Sequence, residues 1–166
     1  MTIRLRQMAT AFLCNGSDWL LMQRAETRTL APGLWAGVGG HLEPHEISDP
    51  EQAALREVEE ETGIRRDQIR DFRLQALIHR RRADEIRVQY LYLGVVSHRR
   101  VRDTEEGTLH WVPEKEILTK SMAASTRFFL ERYVKNGPSN TVWVGTLGND
   151  DAWPTVQWAL LQDWEP

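Results

Sequence analysis

Two apolar-rich runs, residues 3–14 and 19–24, lie on either side of Asn15-Gly16 near the start of the chain. Asn-Gly between two such runs is a strong short-range hairpin signal, so the pattern predicts two paired strands. Glycine and proline are dense between Ala31 and Gly40. That density favours a loop with a short strand over a helix.

Residues 50–62 have the pattern of a helix with clear start and stop signals. Asp49 suits the N-cap, Pro50 the first helical position, and Gly63 the position after the last turn. Further along the chain, the apolar pattern predicts strands at residues 71–80 and 86–96 around a polar turn. It also predicts a short strand at 109–112 and helices at 113–118 and 122–135.

Residues 138–166 form a C-terminal extension in which the pattern predicts one more hairpin. Its strands are expected at 141–147 and 155–161, separated by 148–151. The order of elements predicts an α+β protein with a mixed sheet between helices, and residues 1–166 are expected to form one domain. Four of the seven tryptophans fall in this extension, namely Trp143, Trp153, Trp158 and Trp164.

Composition narrows the classes of function. The chain has 166 residues, and its 21 basic and 24 acidic residues give a formal net charge of -3. This balance offers no broad attraction to a nucleic-acid polymer. No run approaches the ~20 apolar residues of a membrane span, so no membrane partner is expected. The lone Cys14, and a start without a secretory pattern, predict a cytoplasmic setting.

The acidic residues are concentrated, with five of the 24 between positions 51 and 61. On a helix, Glu57, Glu60 and Glu61 fall within an arc of roughly 100°. Their mutual repulsion costs a few tenths of a kcal/mol per pair, and a hard divalent cation such as Mg²⁺ or Mn²⁺ would reverse it. A solvated acidic helix face is the alternative, and spacing alone favours it.

The residues around this cluster resemble, as a unit, the signature of the Nudix hydrolases. Gly40 and Glu46 are followed by Arg56-Glu57-Val58-Glu59-Glu60-Glu61-Thr62-Gly63-Ile64, which matches the family's glycine loop and acidic helix. Nine residues separate Glu46 from Arg56 where the family pattern has seven. The resemblance implies an α/β/α sandwich over residues 1–136 and does not cover the C-terminal extension.

Carried over by position, the resemblance implies that Glu57, Glu60, Glu61 and the carbonyl of Gly39 bind a divalent metal ion, Mg²⁺ or Mn²⁺. Glu57 would also be the nearest group to deprotonate the attacking water, and Arg56 would orient Glu57. The implied catalytic residues are therefore Glu57, Glu60 and Arg56.

Four residues are candidates for substrate binding: Arg24, Gly40, Glu105 and Glu106. Gly40 would let the backbone approach phosphate, and Arg24 ends the second predicted strand. The two glutamates precede Trp111 in a later loop, a place where family members often add an acid. The alternative is that Arg24 is an exposed residue at the end of a strand and that Glu105 and Glu106 are solvated acids of a turn, without a role in binding. The basic run 79–82 is interpreted as a solvated edge rather than a polyphosphate contact.

Nudix enzymes hydrolyse a nucleoside diphosphate linked to another group. The expected substrate is a nucleoside triphosphate, including oxidised dGTP, in a MutT-like reaction. ADP-ribose, a nucleotide sugar or a dinucleotide polyphosphate are alternatives. A non-catalytic Nudix-like nucleotide sensor is the alternative from another class, and the intact set of glutamates argues against it. The tryptophan-rich extension motivates the hypothesis of a homodimer.

Overall fold

The computed structural model describes residues 2–29 and 31–163. The helices are α1 (Pro50–Thr62), α2 (Glu114–Ile117) and α3 (Ala124–Asn136). The strands are β1 (Arg4–Asn15), β2 (Asp18–Arg24), β3 (Trp35–Ala36), β4 (Val38–His41), β5 (Ile69–Arg82), β6 (Glu85–Val96), β7 (Gly107–Pro113), β8 (Val142–Asp150) and β9 (Trp153–Leu161). In this part of the chain, no helix is long and apolar enough to cross a membrane.

Within the described residues, all nine strands belong to one sheet. Its main path runs β3-β2-β1-β6-β5-β8-β9, while β4 pairs with β1 and β7 pairs with β2. The β1–β6 and β5–β8 pairs are parallel and the other pairs are antiparallel. The sheet is therefore mixed, as predicted.

The ends of α1 follow from local side-chain and backbone chemistry. The carboxylate of Asp49 accepts a hydrogen bond from the backbone N–H of Gln52 at 3.2 Å, which satisfies one of the unpaired donors of the first turn. At the other end, Gly63 adopts a left-handed conformation with φ 79°, and its N–H donates to the carbonyl of Glu59. Both caps lie where the sequence predicts them.

Helices α1 and α3 cover opposite faces of the sheet. Ala53, Ala54 and Val58 of α1 pack into one core cluster, which also contains Leu13 of β1. The neighbouring strand residue Phe12 points to the other face, because side chains alternate along a strand, and packs with Phe129 and Leu130 of α3. This two-sided core is an α/β/α sandwich, so the predicted fold class is confirmed.

The C-terminal extension continues the sheet. Strand β8 pairs in parallel with β5, and β9 pairs with β8 from Val142↔Leu161 to Asp150↔Trp153. The sequence places the turn at residues 148–151, and this is wrong: residues 148–150 belong to β8, and the turn lies at 151–152. A left-handed backbone at Asp151, with φ 49°, makes this later turn.

The tryptophans have several different environments. Trp143 and Trp158 flank the guanidinium of Arg132, whose carbon lies 3.2 Å and 5.3 Å from the two ring centroids. Trp35 and Trp111 pack partly buried against the core. Trp153 is 76% exposed. Trp164, the last tryptophan of the extension, lies outside the described residues.

Candidate active site

An open cleft of about 750 Å³ is bounded by the acidic face of α1 and by the glycine strand β4. Its third boundary is the part of the sheet where β1 and β6 begin and β5 ends. Its lining combines acidic and basic side chains with glycine backbone. The acids are Glu43, Glu57, Glu61 and Glu106, the arginines are Arg6, Arg24, Arg28, Arg56, Arg82 and Arg87, and the glycines are Gly39 and Gly40.

Helix α1 presents Glu57 and Glu61 to this cleft because the two residues are one turn apart. Glu61 is 5% exposed, and its Oε2 accepts a hydrogen bond from the backbone N–H of Gly39 at 3.1 Å. The side chain of Glu57 is also largely shielded from solvent. The structure therefore brings two of the three predicted metal ligands into one cleft with Gly39.

Both carboxylates have a raised pKa. Burial, followed by the charge of Glu57, raises the pKa of Glu61 to about 8, while the Gly39 N–H acts in the opposite direction. Burial also raises the pKa of Glu57, against the lowering effect of Arg56. Two desolvated carboxylates that repel one another are a setting in which a divalent cation is favourable.

Arg56 connects four groups around the cleft. Its Nε and Nη2 donate to the two carboxylate oxygens of Glu46 at 2.8 Å and 3.0 Å. Its Nη1 donates to Glu57 Oε1 and to Glu60 Oε2, each at 3.0 Å, and Nη2 also donates to the carbonyl of His41 at 3.3 Å. Arg56 thus holds the Glu57 carboxylate in place, in keeping with its expected orienting role.

Glu46 has a definite position despite the longer loop that follows it. It is 1% exposed, accepts a hydrogen bond from the backbone N–H of Glu43, and pairs with Arg56. The guanidinium of Arg56 lowers the pKa of Glu46. Residues 47–49 absorb the added length between a short 3-10 turn at Pro44–Glu46 and the start of α1.

Glu60 is arranged differently from the other two predicted ligands. Its side chain is 60% exposed, and it lines a shallow groove beside the cleft with Arg66 and Arg102. Among the described residues, no three His, Cys, Asp or Glu side chains already surround one point as a metal site. The carboxylates of Glu57 and Glu61 fit a divalent ion in the cleft, whereas Glu60 is paired with Arg56 and does not line it.

The two glycines of β4 are required for different reasons. A Cβ on Gly40 would lie 2.7 Å from the carboxyl carbon of Glu57, so the absence of a side chain lets this carboxylate lie over the strand. A Cβ on Gly39 would lie 2.7 Å from the Cα of Thr10, in the paired strand β1. Gly40 therefore makes room for the site, and Gly39 for the sheet.

The other predicted substrate-binding residues divide into two groups. Arg24 and Glu106 both line the cleft, 3.9 Å apart at their closest charged atoms, and Glu106 also pairs with Arg28 at 2.9 Å. The charge of Glu106 contributes to the raised pKa of both Glu57 and Glu61. Glu105 is exposed and does not line the cleft.

Two further features, the arginines that line the cleft from the sheet and a smaller adjoining pocket, are not predicted from the sequence. Arg6 and Arg87 line the cleft from β1 and β6, while Arg82 of the basic run, interpreted as a solvated edge, lines it as well. Next to the cleft is a smaller pocket of about 130 Å³ that shares four lining residues with it, Met8, Arg24, Gly39 and Arg87. Uncharged polar side chains in this pocket come from three elements, β1, β6 and α3: Thr10, Gln89, Ser125 and Thr126.

Comparison with known proteins agrees with this architecture. The model of the NUDIX domain matches residues 4–133, so the chain belongs to the Nudix family. It is a Nudix hydrolase, and the resemblance seen in the sequence is confirmed. Nudix hydrolases in general use divalent metal ions.

Individual relatives extend this result. The nucleoside triphosphatase NudI of Escherichia coli O1:K1 / APEC is 30% identical over 134 residues, which cover 75% of this chain and 94% of that protein. A MutT protein from Bacillus halodurans is 20% identical, with a TM-score of 0.71 over 97% of this chain and 99% of its own. That alignment therefore extends into the C-terminal hairpin. The NUDIX domain of Shewanella oneidensis NrtR, complexed with ADP ribose, is also 20% identical, with a TM-score of 0.63 over 81% of this chain and 88% of its own.

Proposed function

We propose that this protein is a divalent-metal-dependent pyrophosphohydrolase acting on nucleoside triphosphates, oxidised dGTP among them. The observation that carries the proposal is the cleft itself, in which Glu57 and Glu61 share one cavity with Arg24 and the backbone of Gly39. Carboxylates for a metal ion and a guanidinium for phosphate are the two groups that phosphoryl chemistry requires. The 30% identity to a protein named nucleoside triphosphatase supports this class of substrate.

In this proposal Glu57, Glu60, Glu61 and the Gly39 carbonyl hold Mg²⁺ or Mn²⁺. When bound, such an ion neutralises pyrophosphate charge and lowers the pKa of water. Glu57 accepts the proton of the attacking water, and Arg56 keeps the Glu57 carboxylate oriented through its 3.0 Å hydrogen bond.

Phosphate contacts would come from the opposite side of the cleft. Arg24 donates to a phosphate oxygen, and Gly40 leaves the backbone of β4 accessible. Glu106 adds a carboxylate from the loop before β7, a role for which its place in the cleft favours it over Glu105.

The experiment is a screen for phosphate and pyrophosphate release with Mg²⁺ and with Mn²⁺. The substrates are the nucleoside triphosphates, oxidised dGTP, ADP-ribose, a nucleotide sugar and a dinucleotide polyphosphate. Metal-dependent release of pyrophosphate, with the triphosphates as the best class, is the expected result. Tight nucleotide binding with no turnover would instead favour a sensor.

For the assembly we propose a homodimer formed through β9 in the cytoplasm. This edge strand has no charged residue from Trp153 to Leu161, and edge strands without charges readily pair with another copy. Light scattering at micromolar concentration tests the proposal, and a monomeric mass would contradict it.

A further inference from the structure

Arginines are concentrated on one face of the sheet, at the end that opens into the cleft. Arg6 of β1 lies opposite Arg87 of β6, and Arg87 lies opposite Arg80 of β5. Residues opposite one another on paired strands point to the same face. Three guanidinium groups therefore stand side by side across three strands.

The next row on the same face continues the pattern. Two residues along each strand, Glu85 of β6 lies between Arg4 of β1 and Arg82 of β5. Five arginines thus surround one glutamate. Like charges directly opposite each other on neighbouring strands destabilise a sheet, so this arrangement is costly unless an anion binds there.

Glu85 compensates only part of this charge. It pairs with Arg6 at 3.0 Å and with Arg87. Within residues 2–29 and 31–163, no acidic side chain forms an ion pair with Arg80 or Arg82. Although Arg80 is exposed, partial desolvation by its neighbours lowers its pKa, and the positive charges of Arg87 and Arg82 lower it further.

These arginines lie on the α3 face of the sheet, and three of them reach the cleft that also contains the acidic face of α1. Arg6, Arg82 and Arg87 line the cleft that holds Glu57 and Glu61. Arg80 and Arg87 line the smaller adjoining pocket, so Arg87 lies where the two cavities meet. When the pyrophosphate group of a substrate lies near α1, these cationic groups can therefore contact the chemical group attached to the far end of that pyrophosphate.

We propose that Arg6, Arg80, Arg82 and Arg87, here called the arginine wall, bind a terminal phosphate of the substrate beyond the two phosphates held near α1. Glu85 keeps Arg6 and Arg87 adjacent through its two ion pairs. The wall thereby selects nucleoside triphosphates over nucleoside diphosphates joined to a sugar. This inference rests on the proposed function and specifies the part of the substrate that the enzyme discriminates.

The test compares ATP with ADP-ribose, which share adenosine and two phosphates, in Arg82→Gln and Arg87→Gln. Because Arg82 has no acidic partner among the described residues, its removal leaves no unpaired acid and does not threaten folding. Loss of one charge-assisted contact should lower kcat/KM for ATP by about ten- to a hundredfold. The value for ADP-ribose should change less than about twofold, since a neutral sugar makes no such contact.

Arg81→Gln is the matched control. Arg81 lies between Arg80 and Arg82 on β5, projects to the opposite face and does not line the cleft. It should leave both kcat/KM values at the parental level.

The outcomes separate the two proposals. If Arg82→Gln and Arg87→Gln lowered kcat/KM for ATP and ADP-ribose by the same factor, or changed neither, the arginine wall would not read a terminal phosphate, while the hydrolase assignment would stand. If the parental protein turned over no nucleotide, the proposed function would fail alone. Calorimetric affinities for ATP and ADP-ribose in the same variants would then test the arginine wall. A larger loss of affinity for ATP than for ADP-ribose would support it, and equal losses or no loss would contradict it.

Discussion

Arg56 and Glu46 form a two-point ion pair across the longer loop of the Nudix motif, with nitrogen–oxygen distances of 2.8 Å and 3.0 Å. The pair is shielded from solvent, since Glu46 is 1% exposed. Because the same guanidinium also holds Glu57, the position of this residue, which is expected to accept a proton, depends on a glutamate eleven positions earlier.

Glu46→Gln should therefore reduce both stability and turnover. Loss of the charged partner leaves Arg56 poorly compensated and should lower the free energy of unfolding by about 2–3 kcal/mol. Urea denaturation and steady-state kinetics measure the two effects. Glu59→Gln, on the exposed side of the same helix, is the control and should change stability by less than about 0.5 kcal/mol. An unchanged kcat in a folded Glu46→Gln protein would separate Glu46 from the positioning of Glu57.

Glu60→Gln should lower turnover by orders of magnitude and leave the fold intact. The side chain of Glu60 is exposed, and its ion pair with Arg56 contributes only about 0–1 kcal/mol to stability. Kinetics with Mg²⁺ and circular dichroism are the measurements. Parental rates on every nucleotide tested would show that Glu60 is not a metal ligand.

Alanine at the two glycines of β4 should affect different properties, mainly activity at Gly40 and mainly stability at Gly39. Gly40→Ala displaces the Glu57 carboxylate, so activity should fall at least about tenfold, with stability reduced by less than about 1 kcal/mol. Gly39→Ala forces backbone away from β1 and should cost about 1–3 kcal/mol. Thermal unfolding together with kcat tests the contrast. Equal effects of the two substitutions on stability would contradict it.

The metal-free protein should become less stable as pH rises from 4.5 to about 8. In this range the folded protein keeps a proton on Glu61, whose pKa is raised from 4.5 to about 8, while the unfolded chain has released it. The unfolded state then binds fewer protons, and the free energy of unfolding decreases with pH. Urea denaturation in a chelator at several pH values measures the slope.

Glu61→Gln supplies the comparison for this pH effect, because it has no proton to lose. Its stability should change less steeply over the same range and exceed that of the parental protein near pH 8. Addition of Mg²⁺ to the parental protein at pH 7 should release protons, since metal ligands bind in the deprotonated form. Identical slopes in the two proteins would place the titrating group elsewhere.

Glu105 and Glu106 offer a neighbouring pair for comparison. Glu106→Gln removes a carboxylate from the cleft and leaves Arg24 and Arg28 without its charge, so kcat/KM should fall several-fold or more. Glu105→Gln changes an exposed side chain and should leave kcat/KM within about twofold of the parental value. Equal losses in both variants would show that the loop acts through its total charge.

Local signals in the sequence determined much of the fold. Asn15-Gly16 predicts the first hairpin, and Asp49, Pro50 and Gly63 predict both ends of α1, because turn and cap geometry depends on a few adjacent residues. Helical spacing likewise places Glu57 and Glu61 together. The turn of the last hairpin is predicted less well. Its left-handed residue is Asp151, but Gly148 and Asn149 would adopt that conformation as readily, so the sequence does not show which residue makes the turn.

Tertiary structure alone decided which charged residues from different elements meet. Arg6 and Arg87 are 81 positions apart and become neighbours only through the parallel register of β1 and β6, for which no local signal exists. Loop geometry likewise brings Glu106 rather than Glu105 into the cleft. The sequence by itself determined the acidic helix and the family, because helical periodicity and capping are short-range. The arginine wall, of which Arg6, Arg82 and Arg87 line the same cleft as that helix, arises from strand pairing between distant segments, and only the folded sheet defines it.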